Sequence, residues 1–302
     1  MIIFPIFGFI LGTILGSLAK ALADRSLKNA SYMGRSKCPS CQHKLSWYDL
    51  IPLFSYLSLK GKCRYCHKKI SIEYFLIEVV TGILVAFIFW QSSINLENLN
   101  FNLQAVTIIP AVFTILFKTF FTTILVILFM TDIKDTFIPD RITYPAIIIV
   151  SVALLLDTLF RIWYLYFGLS QSAFGKYLLP PHTSYFTNHA WDIFQNYLFH
   201  LGAGILIGGF FLMLIIITRG KGMGGGDVKL GAFIGLVLGF PLGILAIMLS
   251  FITGAIYAVF LIFLGKKKFG ENIAFGPFLV LGSLIVLFWG NQIINWYVKL
   301  TG

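Results

Sequence analysis

The sequence predicts an all-α polytopic membrane protein of about eight transmembrane helices with a small cytosolic loop module. Three observations predict it: a large apolar excess, a series of helix-length apolar runs, and the placement of the cations. Of the 302 residues, 58% are hydrophobic and 12% charged, with a mean hydropathy of +0.87. That is more apolar surface than a water-soluble domain can bury, so lipid must be part of the solvent. A helix needs about 20 apolar residues to cross the hydrocarbon layer, where no water satisfies backbone N–H and C=O groups. Such runs lie near residues 2–22, 74–94, 112–131, 142–161, 196–218, 228–242, 244–264 and 274–297.

The first run is followed, not preceded, by basic residues, and its start holds no Lys or Arg. It therefore reads as a membrane helix, although Ala21-Leu22-Ala23 has the small-residue pattern of a signal-peptide cleavage site. The second to fifth runs are plain hydropathic spans. Between the fourth and fifth, residues 165–195 are rich in Tyr, Phe, Ser and Pro and are expected to form a long outward connection. The sixth and seventh share one stretch divided by Gly239, Phe240, Pro241 and Gly243, where a tight turn makes two short helices; without it the count is seven. The expected domain plan is a first transmembrane helix over 1–23, a cytosolic module over 24–73 and a membrane domain over 74–302. No internal repeat stands out.

The net charge of +11 would suit nucleic acid, but the cations sit at span ends. Ten of the 23 Lys and Arg fall between Arg25 and Lys69. Lys20, Lys134, Arg141, Arg219, Lys221, Lys229 and Lys266 to Lys268 join them on one side of an eight-helix arrangement. The positive-inside rule places that side in the cytoplasm, with both termini outward. The partner this predicts is a lipid bilayer, with no nucleic acid.

All four cysteines lie in the 24–73 insertion, as Cys38-Pro-Ser-Cys41 and Cys63-Arg-Tyr-Cys66. Two C-x-x-C pairs at this separation match a tetrahedral structural zinc site, each pair offering two thiolates from one tight knuckle. A reducing cytosol argues against two disulfides. With four thiolates at hand, His43 and His67 read as solvated loop residues. A closed site of this kind orders the loop and has no open position for catalysis.

Two acidic segments stand apart from the ordinary helix-end charges. One is Thr131-Asp132-Ile-Lys-Asp135-Thr-Phe-Ile-Pro139-Asp140, at the end of the third span. The other is Gly222-Met-Gly224-Gly225-Gly226-Asp227-Val-Lys229, before the sixth. Gly224, Gly225 and Gly226 carry no side-chain bulk and permit positive φ, so the backbone can closely approach a substrate or another helix. This is not a nucleotide-binding loop, because no Gly-Lys-Ser/Thr ends it. Two carboxylates sharing a proton hydrolyse a peptide bond without metal or covalent intermediate: one activates water and the protonated one polarises the carbonyl. Singly, each Asp also reads as a solvated helix-end residue.

Together these residues resemble the bifunctional bacterial prepilin leader peptidase and N-methyltransferase family, membrane aspartic peptidases with a Gly-x-Gly-Asp motif. The resemblance runs through Arg35-Ser-Lys-Cys38-Pro-Ser-Cys41, Trp47-Tyr-Asp49-Leu-Ile-Pro52-Leu-Phe-Ser55-Tyr-Leu, Gly61-Lys-Cys63-Arg64-Tyr-Cys66 and Ile70-Ser-Ile-Glu-Tyr74, ending at Glu78. It continues over Asp132 to Asp140 and Gly224-Gly225-Gly226-Asp227, covering roughly residues 10 to 265. It implies that Asp132 and Asp227 are the catalytic aspartates, with Asp135 and Asp140 supporting or solvated. It implies substrates that are prepilins or pseudopilins with short basic cytoplasmic leaders ending in Gly. It further implies methylation of the new N-terminus from S-adenosylmethionine, with Asp49, Arg64 and Glu78 matching polar positions of that region. The first helix departs from the family: Gly16-Ser17-Leu18-Ala19-Lys20-Ala21 stands where members commonly show Gly-Ser-Phe-Leu-Asn-Val.

Two other classes are open to the same residues. A proton-coupled transporter would use paired carboxylates as a relay, but would place them near the midplane between related halves. A zinc-stabilised assembly protein would have no use for the glycine-Asp loop. A peptidase lacking the methyltransferase activity is the nearest variant.

Overall fold

The computed structural model describes residues 3–97, 105–220, 222–266 and 273–301. Lys221, Lys267 and Lys268, three of the cations used to assign sidedness, lie outside the described residues. The chain is helical, in two compact units, residues 1–139 and 140–302.

The first unit holds α1 (Ile3–Leu27), a 3-10 turn (Trp47–Leu50), α2 (Phe54–Ser58), α3 (Ile72–Glu97) and α4 (Ala105–Asp135). Here α1 packs along α3 and also touches α4. The α1–α3 contact is close because Gly8, Gly12 and Gly16 recur every four residues and present one smooth stripe. A methyl group built on Gly12 would come within 2.7 Å of the Thr81 carbonyl oxygen and 2.8 Å of Gly82 Cα. Backbone atoms cannot yield as a flexible side chain does, so Gly12→Ala is expected to destabilise the protein by about 1–3 kcal/mol. Gly209→Ala, where nothing lies within 4 Å of an added methyl, should be neutral or slightly stabilising. Thermal midpoints of the two variants in one detergent check the contrast.

The second unit holds α5 (Asp140–Gln171), a 3-10 turn (Gly175–Leu178), α6 (Tyr185–Ile217), α7 (Gly225–Leu238), α8 (Leu242–Phe263) and α9 (Gly276–Thr301). Glycines again bring helices together: an added methyl at Gly235 of α7 would lie 2.6 Å from the Ala203 carbonyl oxygen of α6.

Among the described residues, seven helices are long and apolar enough to cross a membrane, and the protein is a multi-pass membrane protein. The eighth apolar run is α7, of 14 residues, which at 1.5 Å per residue extends about 21 Å against a hydrocarbon layer of about 30 Å. The turn expected between the sixth and seventh runs is present at Gly239, whose φ is +68°. Its α7 side is short, while α8 has 22 residues. His200 of α6 closes the short end: its Nδ1 lies 2.9 Å from the Leu236 carbonyl oxygen and donates to one of the carbonyls a helix terminus leaves unpaired.

The long outward connection expected over 165–195 is mostly helix. α5 continues to Gln171 and α6 starts at Tyr185, leaving a short link of residues 172–184 that contains the Gly175–Leu178 turn. Hydropathy falls where the helices leave the lipid, but nothing in Tyr164, Tyr166, Phe167 or Trp191 breaks the backbone ladder. The Pro180-Pro181 pair does break it, and it sits in the link.

Candidate functional site

The cysteine module is built from two copies of one turn. Lys37 pairs with Lys44 and Lys62 with Lys69 in isolated antiparallel bridges. Within each, the first cysteine's N–H donates to a carbonyl five residues on, Cys38 to His43 and Cys63 to Lys68. The residue after the second cysteine turns left-handed, Gln42 at φ +58° and His67 at φ +56°. The sequence hides this repeat because only the cysteines and flanking lysines recur.

The knuckles bring Cys38, Cys41, Cys63 and Cys66 together as free thiols, their sulfurs all within 4.8 Å of one another. Cys38 Sγ and Cys66 Sγ are 3.9 Å apart, and a tetrahedral zinc with bonds near 2.3 Å needs sulfurs about 3.8 Å apart. The four residues therefore fit a metal ion. At Cys38, burial opposes the thiolate, but N–H groups of Cys41 and Ser40 outweigh it and draw the thiol down to about 7. At Cys66 the Lys68 backbone favours the thiolate, yet burial and the adjoining thiols push it up to about 11. Four sulfurs this crowded ionise together only around a cation. His43 lies against Tyr65, ring centroids 3.7 Å apart and the planes tilted by 35°, and neither it nor His67 joins the cluster.

The polar residues matched to the methyltransferase region have partners inside the module. Asp49 Oδ1 accepts from Arg64 Nε at 2.8 Å, and Oδ2 accepts from the Tyr65 hydroxyl and the Ser46 N–H, each at 3.1 Å. Burial would raise the Asp49 carboxyl, but these donors, Arg64 foremost, hold it below the usual carboxylate range. Glu78 of α3 is buried, and its Oε2 accepts the Leu53 N–H at 2.8 Å. It thereby fixes Leu53 in a left-handed conformation, φ +59°.

Asp132 and Asp227 are both buried, at 6% and 9% exposure, although each lies within a turn of a helix end. Asp132 is in the last turn of α4, in the first unit; Asp227 is in the first turn of α7, in the second. Negative charge is stabilised at a helix N-terminus and opposed at a C-terminus, so these two carboxylates sit in contrasting fields. The glycines before Asp227 do not use positive φ: Gly224 has φ −88°, and Gly225 and Gly226 open α7. Their lack of bulk leaves room instead. An added methyl at Gly225 would meet nothing within 4 Å, and one at Gly224 only the Gly226 nitrogen at 4.0 Å.

Each aspartate begins an Asp-x-Lys triplet, Asp132-Ile133-Lys134 and Asp227-Val228-Lys229. Two residues on, a helical side chain points to roughly the opposite side, and each lysine there meets carboxylates on another helix. Lys134 Nζ lies 2.8 Å from Glu73 of α3 and 3.5 Å from Asp24 of α1. Lys229 pairs with Asp140 at the start of α5, over the Tyr144 ring at 5.3 Å. Asp135 is exposed.

Lys20, which stands where the resemblance leads one to expect Asn, completes the first of these arrangements. It is 1% exposed, 2.7 Å from Asp24 and 3.3 Å from Glu73. The Tyr74 ring lies beneath its Nζ at 4.7 Å, and the Tyr74 hydroxyl donates to Asp24 at 2.9 Å. Two acids and two lysines thus tie α1, α3 and the last turn of α4. Asp24→Ala leaves Lys20 one carboxylate. Its expected cost is on the order of 2–3 kcal/mol, the value for breaking a buried pair discounted for Asp24's exposed edge, read as a lower thermal midpoint. The sequence reading used Lys20, Lys134 and Lys229 only as cations that assign sidedness, and gave Asp24, Glu73 and Tyr74 no role of their own. The recurrence of Asp-x-Lys was the available signal for Lys134 and Lys229.

Comparison with known proteins matches residues 10–92 to the bacterial peptidase A24 N-terminal domain and residues 119–259 to the type IV leader peptidase family. A prepilin leader peptidase/N-methyltransferase of Bacillus subtilis (strain 168) is 31% identical over 97% of this chain and 97% of its own length. One of Vibrio cholerae serotype O1 is 27% identical over 95% and 96%, and one of Stutzerimonas stutzeri is 26% identical over 89% and 76%. No solved structure matches the chain. With both halves matched in order and such a relative aligned nearly end to end, the chain belongs to the type IV leader peptidase family.

Proposed function

We propose that this protein removes the leaders of type IV prepilins or pseudopilins at the cytoplasmic face of a bacterial inner membrane and then methylates the exposed N-terminus. The observation that carries the hydrolytic half is that Asp132 and Asp227 are buried carboxylates at helix ends of opposite polarity. Glu78, a third buried acid among the described residues, accepts the Leu53 N–H.

The fields assign the roles in the proposed dyad. Asp227, at a helix N-terminus, is the ionised base that takes a proton from water; Asp132, at a C-terminus, holds the proton and donates it to the scissile carbonyl oxygen. The water oxygen bonds to the carbonyl carbon, giving a tetrahedral intermediate. Its collapse breaks the C–N bond after the leader's terminal Gly. Asp227 returns its proton to the departing amine, and Asp132 regains the one it lent. The open backbone at Gly224 and Gly225 gives the substrate chain room beside Asp227. The cation distribution supports the cytoplasmic side.

Cys38, Cys41, Cys63 and Cys66 would hold zinc, which neutralises the thiolates and fixes the two knuckles; no step passes through it. Methyl transfer from S-adenosylmethionine is assigned to the 24–73 segment with Glu78. Inside the module Asp49 accepts three hydrogen bonds and Glu78 Oε2 accepts one, which leaves each with less capacity to hold a cofactor amine or ribose. That engagement, with Lys20 in place of the family's Asn, favours a second reading in which only the peptidase is active.

Co-expression with a prepilin separates the readings. Intact mass of the product is expected to show loss of the leader and gain of one methyl. Leader loss without the methyl leaves the peptidase alone, and an uncut prepilin overturns the proposal.

A further inference from the structure

The module combines two properties that water alone does not explain. Between Arg25 and Lys69 there are ten Lys and Arg and one acid, Asp49, already paired with Arg64. Beside this cationic excess stand large apolar side chains: Trp47 is 78% exposed, Phe54 67% and Leu57 63%. Phe54 and Leu57 are three apart on α2 and so share one of its faces.

The module is also fixed at a definite level along a membrane helix. Tyr56 of α2 lies beside Phe75 in the first turn of α3, ring centroids 5.4 Å apart. The Leu53 N–H binds Glu78, six residues and so about 9 Å along α3 from Ile72. Through these turns and beyond them, α3 exposes Ile72, Leu76, Val80 and Ile83, the side a spanning helix offers to lipid. The α2 corner is thus held against the first two turns of a segment long enough to span, where that apolar stripe begins. Aromatic residues favour the headgroup level, and clustered Lys and Arg favour anionic lipid.

We propose that Trp47, Phe54 and Leu57 insert at the headgroup level of an anionic bilayer, so that the cysteine module rests on the membrane surface. The anionic surface answers the charge excess, and the lipid-facing stripe of α3 continues into the docked face. This holds whether or not the hydrolytic reading does.

The test uses the full chain in nanodiscs of phosphatidylcholine, with or without phosphatidylglycerol. The lipids carry bromine on the acyl chain either just below the headgroup or near the chain end. Subtracting the emission of Trp47→Phe from that of the parent isolates Trp47 among the six tryptophans. Its emission is expected to be quenched by the shallow bromines, to be shielded from acrylamide in water, and to show both effects more strongly with phosphatidylglycerol. A Phe54→Ser, Leu57→Ser double variant should recover acrylamide access while keeping its bound metal, which shows that the knuckles remain folded. Emission blind to bromine and open to acrylamide in both lipids overturns the proposal. Shielding that arises only when a prepilin peptide is added also overturns it, by giving the face to a protein. Equal shielding with and without phosphatidylglycerol overturns the anionic preference.

Discussion

Asp132→Asn and Asp227→Asn are each expected to slow leader cleavage by at least about 10²–10⁴-fold, the range for losing a positioned acid or base. The amide keeps the shape of the carboxyl group, so a loss of this size would not reflect an unfolded chain, and unchanged thermal midpoints check that. The doubly substituted protein should be little slower than either single variant, because partners in one proton circuit fail together. Methylation of a synthetic, already cleaved N-terminus should survive both substitutions. Leader removal persisting in both single variants would reject the dyad. Persistence in one alone would place the chemistry on the other carboxylate.

Cys63→Ser should abolish bound metal, expected at one zinc per chain in the parent. Structural zinc contributes about 10–16 kcal/mol of apparent binding free energy to small domains at neutral pH, far more than this module's few buried side chains can replace. Protease nicking within residues 24–73 should follow, with loss of methylation. Leader cleavage should persist, since neither aspartate belongs to that segment. Metal analysis, limited proteolysis and product mass on one preparation read all three. Unchanged zinc content would remove Cys63 from the ligand set, and loss of cleavage along with zinc would make the module part of the hydrolytic machinery.

The spans were legible because lipid selects for apolar length, which a sequence displays directly. Their ends were less so: α5 and α6 run well past the lipid-length windows at 142–161 and 196–218, because hydropathy tracks the bilayer whereas the helix follows its own hydrogen bonds. The four cysteines were legible because two local spacings define the knuckles. The glycines at 224–226 were read for positive φ, but a start of helix served equally well and the sequence does not separate the two. The ionic cluster was hidden by distance along the chain: Lys20 meets Glu73 across 53 residues, and Asp24 meets Lys134 across 110.

That last separation bears on biogenesis. When α1 emerges from the ribosome, Lys20 has only Asp24, one turn away in the same helix, as a counter-charge. Glu73 follows with α3, and Lys134 only at the end of α4. The first segment must therefore enter the insertion machinery with a provisional charge balance, and should be retained there, or be slow to partition into lipid, until its later partners have been synthesised. Nascent chains truncated before α3 should integrate poorly, and Lys20→Leu should speed that first step.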